Sequence, residues 1–147
     1  MSRRKNKNPP DRQKVFVDTN VWLSAIYWPQ GKASQVVWKL LSEYHVFISD
    51  YVVAEIKRKA PVRFPGQLWR VDNFFQTTRR NITILTTPEK PVKEELSVTD
   101  EKDHPIVRAA IYGGVDMILS GDHHLKEAGL VHPIVLSVRE FLELHPD

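Results

Sequence analysis

The sequence predicts an α/β fold, with one central, mostly parallel five-stranded sheet and helices on both of its faces. Three observations predict it. Five short apolar runs alternate with longer segments of helical periodicity. The runs are apolar throughout, as strands are when both faces of a sheet are covered. The chain has 147 residues, which suits one compact core, and it shows no internal repeat or low-complexity stretch.

The elements follow in order. Lys14-Val15-Phe16-Val17-Asp18 is β-branched and aromatic, and forms the first buried strand. A helix over 21–28 is stopped by Pro29-Gln30-Gly31. Residues 33–44 set Val36, Val37, Leu40 and Leu41 at helical spacing along one face. His45-Val46-Phe47-Ile48 is the second strand, and Ser49 or Asp50 caps a helix over 51–60. Another helix over 65–78 leads to a third strand over 82–85. Residues 86–99 contain two prolines and form a loop. Pro105 suits the first turn of a helix that ends at Gly113-Gly114. Met117-Ile118-Leu119 is the fourth strand and 133–136 the fifth. Ser137 then caps a last helix over 138–144.

A hydrophobic content of 41% with 27% charged residues is that of a globular protein, neither disordered nor fibrous. No window approaches the ~18 apolar residues of a membrane span. Cysteine is absent, which removes disulfides, thiolate metal sites and cysteine nucleophiles. No apolar stretch follows Ser2-Arg3-Arg4-Lys5, so a cytoplasmic location is expected. The net charge of +3 is unevenly spread: residues 1–14 carry +5 and the remainder −2. Residues 1–13 are accordingly read as a basic flexible tail and 14–147 as the folded domain. The tail suits either contact with phosphates or simple solvation.

The acids fall at telling places. In open α/β sheets the functional crevice lies beyond the carboxyl ends of the strands. Asp18 ends the first strand, and Asp122 follows the fourth in Leu119-Ser120-Gly121-Asp122. Asp100 and Asp103 precede the Pro105 helix, and Glu55 lies within the helix after the second strand. Each has an ordinary use. Asp18 and Asp103 suit helix caps, Asp122 a turn, and Glu55 an ion pair with Arg58 or Lys59. Their repeated placement at element ends favours a shared site.

Two carboxylates ~5 Å apart repel by ~3 kcal/mol at an effective dielectric of 20. Four in one pocket reach repulsions of order 10–20 kcal/mol, comparable to the stability of a domain. Such a pocket takes up protons or binds cations. Oxygen donors suit Mg²⁺ or Mn²⁺ rather than zinc, and ions so held can activate water against a phosphodiester.

Val15-Phe16-Val17-Asp18-Thr19-Asn20-Val21, together with Glu55, Asp100-Glu101-Lys102-Asp103 and Ser120-Gly121-Asp122, resembles the PIN-domain nucleases. The likeness spans residues 15 to about 144, including the closing run 134–142. It implies a Rossmann-like sheet, bound Mg²⁺ or Mn²⁺, and endonucleolytic cleavage of RNA. Asp18, Glu55, Asp103 and Asp122 would be the acidic quartet and metal ligands, with Asp100 an outer acid. Asn20 would brace the Asp18 loop, with Thr19 and Ser120 in support. Many small members are toxins of bacterial toxin–antitoxin pairs, so an antitoxin partner and a homodimer are expected. The chain departs from relatives in two ways. His123-His124 stand where another acid is common, open to metal, to substrate, or only to solvent at a helix start. A proline usually follows the first Asp of the Asp100 motif; here it comes later, as Pro105.

Residues 57–80 carry seven bases against Asp72, with Phe64, Trp69, Phe74 and Phe75 interleaved. Such a segment can grip a nucleic-acid strand, serve as a groove for a partner, or simply turn its aromatics to the core. Arg58, Lys59, Arg63 and Lys102, with His123 and His124, are the candidate RNA contacts. Trp22 and Trp28 are read as core or dimer contacts. The competing function is a catalytically silent RNA-binding or protein-interaction domain of the same fold. Aspartyl-phosphate chemistry is disfavoured because Asn20 cannot serve as a second acid, and no Gly-x-Ser-x-Gly elbow supports a serine hydrolase.

Overall fold

The computed structural model describes residues 12–146; the expected basic tail lies outside them, apart from Arg12 and Gln13. The chain runs β1 (Lys14–Val17), α1 (Thr19–Tyr27), α2 (Lys32–Glu43), β2 (His45–Ser49), α3 (Asp50–Arg63), α4 (Leu68–Thr78) and β3 (Ile82–Leu85). It continues through α5 (His104–Tyr112), β4 (Met117–Leu119), α6 (His123–Glu127), β5 (Ile134–Leu136) and α7 (Val138–Leu144). All strand pairings are parallel, in the order β3-β2-β1-β4-β5. Phe16 at the centre is registered against Phe47 on one side and Ile118 on the other. Val15, Phe16 and Val17 are all fully buried. Successive strand side chains point to opposite faces, so helices cover both faces of β1. At the outer edge this ceases, and Ile84 of β3 is exposed.

This order places a crevice at one end of the sheet. From β1 the chain builds outward through β2 and β3, then returns to lay β4 and β5 on the other side. The reversal falls between β1 and β4, where the connections leave in opposite directions and open a crevice at the carboxyl ends. Asp18 N–H donates to the Leu119 carbonyl at 3.0 Å and draws the two strand ends together.

Several boundaries differ from those expected, for local reasons. Helix α1 begins at Thr19, not 21, because the Asp18 side chain accepts from the Thr19 N–H. Helix α3 runs three residues past 60, through Pro61 in an exposed last turn. Helix α4 starts at Leu68, after a turn in which Gly66 takes φ +74. Ser49, rather than Asp50, caps α3 by accepting from the Val52 N–H. Helix α6 starts at His123, as one reading of the histidine pair allowed, although five residues show no periodicity; Asp122 caps it.

The segment over 86–99 is more ordered than a loop. It contains a 3-10 turn, Lys93–Ser97, and a second turn, Glu101–Asp103, leads into α5. Buried Glu95 takes two hydrogen bonds from Arg108 on α5, at 2.7 and 2.9 Å. Arg108 also donates to the Pro88 carbonyl at 3.1 Å. The paired guanidinium is the chief reason the Glu95 carboxyl lies below its ordinary range. The clamp fixes the chain just ahead of Asp100 and Asp103.

The two tryptophans near the first strand separate. Trp22 is wholly buried, donates its indole N–H to the Val17 carbonyl at 2.9 Å, and packs on Phe74 and Phe75. Trp28 is 57% exposed and touches Phe64 edge-on. Urea unfolding should therefore show Trp22→Ala losing ~3–5 kcal/mol and Trp28→Ala less than ~1 kcal/mol. Equal losses would place Trp28 in the core as well.

Candidate active site

A hydrogen-bonded chain crosses the β1–β4 crevice. The Thr19 hydroxyl donates to Glu55 Oε1 at 2.6 Å. The Thr19 N–H donates to Asp18 Oδ1 at 2.7 Å, and the buried Ser120 hydroxyl donates to Asp18 Oδ2 at 2.7 Å. Ser120 Oγ in turn accepts from the Asp122 N–H at 3.0 Å, and Asp122 Oδ1 accepts from the His124 N–H at 2.8 Å. One line of bonds thus joins α3, the end of β1, the end of β4 and the start of α6.

Beyond it lies a tighter group. One donor atom from each of Asp100, Asp103, Asp122 and His124 lies within 4.8 Å of the others, and Asp122, His123 and His124 meet the same criterion. Asp100 is tied down by accepting from the Lys102 N–H at 3.0 Å. Asp103 stands in the cap position of α5 yet caps nothing with its side chain. Its Oδ2 is buried and has no hydrogen-bond partner among the described residues. A buried carboxylate oxygen left unpaired costs free energy, a cost that a proton or a cation at this carboxyl would relieve. The ordinary cap reading therefore fails for Asp103, whereas Asp18 and Asp122 both cap and line the crevice.

The electrostatics agree with the geometry. Burial pushes the Asp18 carboxyl up; the Ser120 and Thr19 bonds pull it partly back, and Glu55 and Asp122 push it further up. Asp103 is pushed up to about 8, by burial first and then by the carboxyls of Asp122, Asp18 and Asp100. Burial also opposes ionisation of Asp122, but the protonated Asp103 and the N–H and ring of His124 outweigh it and hold Asp122 below its usual range. Without a cation, one proton is shared between Asp103 and Asp122.

The expected residues are thus mostly brought together, in two layers. Asp100, Asp103, Asp122 and His124 form the close set; Asp18 and Glu55 join it through Ser120 and Thr19. Asn20 differs from expectation. It is exposed and accepts from Arg63 Nη1 at 3.2 Å, so Thr19 and Ser120 brace the Asp18 loop instead. Arg58 and Lys59 both stand 3.6 Å from Glu55 Oε2. Lys102 and His123 are exposed, and the His123 ring lies over that of His124. Tyr51 was not anticipated: its hydroxyl donates to the Lys102 carbonyl at 3.1 Å. Burial and then Glu55 raise its phenol. Its place at the second residue of a strand-capped helix is the signal that would have found it.

The basic and aromatic segment resolves largely as core. Phe64 stacks on Tyr27, and Phe74 and Phe75 pack on Trp22. Trp69 alone of the four interleaved aromatics stays exposed.

The model of the PIN domain family matches residues 14–124. Two solved structures are similar in fold. The VapBC2 complex of Rickettsia felis, bound to a DNA fragment from its promoter, aligns with a TM-score of 0.65 at 14% identity, covering 85% of this chain and 98% of the other. The DNA-bound VapBC of Salmonella typhimurium aligns with a TM-score of 0.58 at 13% identity, covering 86% and 98%. No curated protein matches the chain by sequence.

Raised carboxyls fix the sign of a pH effect. Their contribution to stability is complete below the unfolded value near 3.8 and is lost as pH rises through the folded value, about 8 for Asp103. Thermal melts in EDTA should fall between pH 4 and 8, and Asp103→Asn should be the more stable protein at pH 8 but not at pH 4. A parallel offset at both pH values would contradict the shared proton.

Proposed function

The chain belongs to the PIN-domain family, and from that premise we propose that it is a Mg²⁺- or Mn²⁺-dependent endoribonuclease, the toxin of a toxin–antitoxin pair. The observation that carries the reading is the unpartnered, buried Asp103 Oδ2 inside the Asp100, Asp103, Asp122 and His124 group. The donor set fits the ion: hard carboxylate oxygens suit Mg²⁺ and Mn²⁺, and the one imidazole nitrogen tips the choice toward Mn²⁺. Asp100, Asp103, Asp122 and His124 would hold it, with Asp18 and Glu55 joined to them through Ser120 and Thr19. A divalent ion there would polarise the phosphodiester and lower the pKa of an attacking water.

The chain's own groups do the rest. Thr19 and Ser120 fix the orientation of Asp18, because each of its oxygens receives a donor. Glu55 holds Arg58 and Lys59 at the rim, and Asn20 holds Arg63 there. These cations would meet the phosphates flanking the scissile bond, which a wholly acidic crevice would repel.

An antitoxin partner is supported by the two similar structures, each a toxin–antitoxin complex. Three exposed tryptophans, Trp28, Trp38 and Trp69, offer apolar surface of the kind protein partners cover. We place the protein in the cytoplasm as a homodimer when free of its antitoxin. Among the described residues no helix is long and apolar enough to cross a membrane.

Asp18→Asn should fold as wild type and lose RNA cleavage by about a hundredfold or more. EDTA should abolish the wild-type reaction and added Mn²⁺ restore it. Ser120→Ala, which frees one Asp18 oxygen, should weaken the apparent Mn²⁺ affinity by about 10–100-fold. Full cleavage by Asp18→Asn, or by wild type in EDTA, would refute the assignment.

A further inference from the structure

The opposite end of the sheet carries a second cavity, of about 140 Å³, lined on its polar side by Arg12, His45, Arg80, Asn81 and Thr83 and closed by Leu41 and Tyr44. It lies at the amino ends of the strands: Arg12 precedes β1, His45 opens β2 and Thr83 follows the first residue of β3. A five-residue strand at ~3.3 Å per residue separates it from the acidic crevice by about 15 Å. The cavity holds the volume of about four or five waters, which matches the five heavy atoms of a phosphate group.

Two of its buried polar atoms are left without partners. Arg12 Nε and His45 Nδ1 are both buried and find no hydrogen-bond partner among the described residues. The His45 ring is held in place: Nε2 lies 2.9 Å from Thr83 Oγ1, and the ring stacks on Phe47 at 4.4 Å. Among the described residues, no acidic side chain lines the cavity. Burial first, then the charges of Lys14 and Arg12, push the His45 imidazole down. Two guanidinium groups, those of Arg12 and Arg80, face this cavity beside an imidazole that stays available as a neutral hydrogen-bonding group. Guanidinium groups pair with phosphate through two parallel bonds.

We propose that this cavity is a phosphate-binding site, taking the phosphate of an RNA end or of a small phosphorylated molecule between Arg12, Arg80 and His45. It is independent of the acidic crevice and needs no divalent ion, so its test runs in EDTA, where the nuclease reading plays no part. Inorganic phosphate and chloride are titrated at equal ionic strength into wild type and the Arg12→Gln/Arg80→Gln double variant. Melting temperature and the ¹⁵N resonances of the His45 ring are the readouts.

Phosphate, and not chloride, should stabilise wild type and shift the His45 resonances, and the double variant should bind it about tenfold more weakly or worse. A short oligoribonucleotide with a 5′-phosphate is then compared with its 5′-hydroxyl form. Tighter binding of the phosphorylated form that disappears in the double variant assigns the site to an RNA end. Equal binding of both forms, with free phosphate still bound through Arg12 and Arg80, assigns it to small phosphates. The proposal is overturned if phosphate acts no differently from chloride, or if the double variant binds phosphate as wild type does.

Discussion

The acidic end of this molecule is governed by carboxylates that repel one another and are nonetheless held together. Asp103 and Asp122 come from loops 19 residues apart in sequence, and Asp18 from the far end of the domain. The fold gives them no choice. Parallel pairing of β1 with β4 sets the ends of these strands side by side, and the clamp of Glu95 by Arg108 holds the Asp100–Asp103 turn against them. The repulsion is met by withholding ionisation: a proton stays with Asp103 and Asp18 is raised by burial. A site built this way is stabilised by whatever positive charge enters it.

The hydrogen-bonded line from Glu55 to His124 explains how the acids keep their orientation while repelling. Thr19 and Ser120 each join two acidic segments, Thr19 linking Glu55 to Asp18 and Ser120 linking Asp18 to the Asp122 backbone. Neither is charged, so neither adds to the repulsion. The two ends of the sheet are also opposite in character. Acids gather beyond the carboxyl ends, and Arg12, Arg80 and His45 gather at the amino ends.

Much of this was legible in the sequence because it depends on local pattern. Continuous apolar runs gave the five strands, and the all-apolar Val15-Phe16-Val17 already implied two covered faces. The acids at strand ends gave the crevice. What escaped was fixed by tertiary contact. Nothing in the chain's periodicity marks a five-residue helix at His123, or tells Trp22 in the core from Trp28 on the surface. Asn20 was expected to brace the Asp18 loop by its position, but Arg63, 43 residues later, draws it outward. The spare oxygen of Asp103 was equally hidden, because a cap position in sequence does not reveal whether the side chain caps. The two arginines and the histidine at the amino ends come from segments that only the sheet register brings together.

The central claim is that the gathered acids form one cation site rather than a cluster that merely tolerates its charge. Crystals soaked in Mn²⁺, with diffraction recorded near the manganese edge, address it directly. Anomalous density between Asp103 Oδ2 and Asp122, within reach of Asp18, is the result the proposed site predicts. A fully soaked crystal with no peak in the crevice, or with manganese bound only elsewhere on the surface, would contradict it.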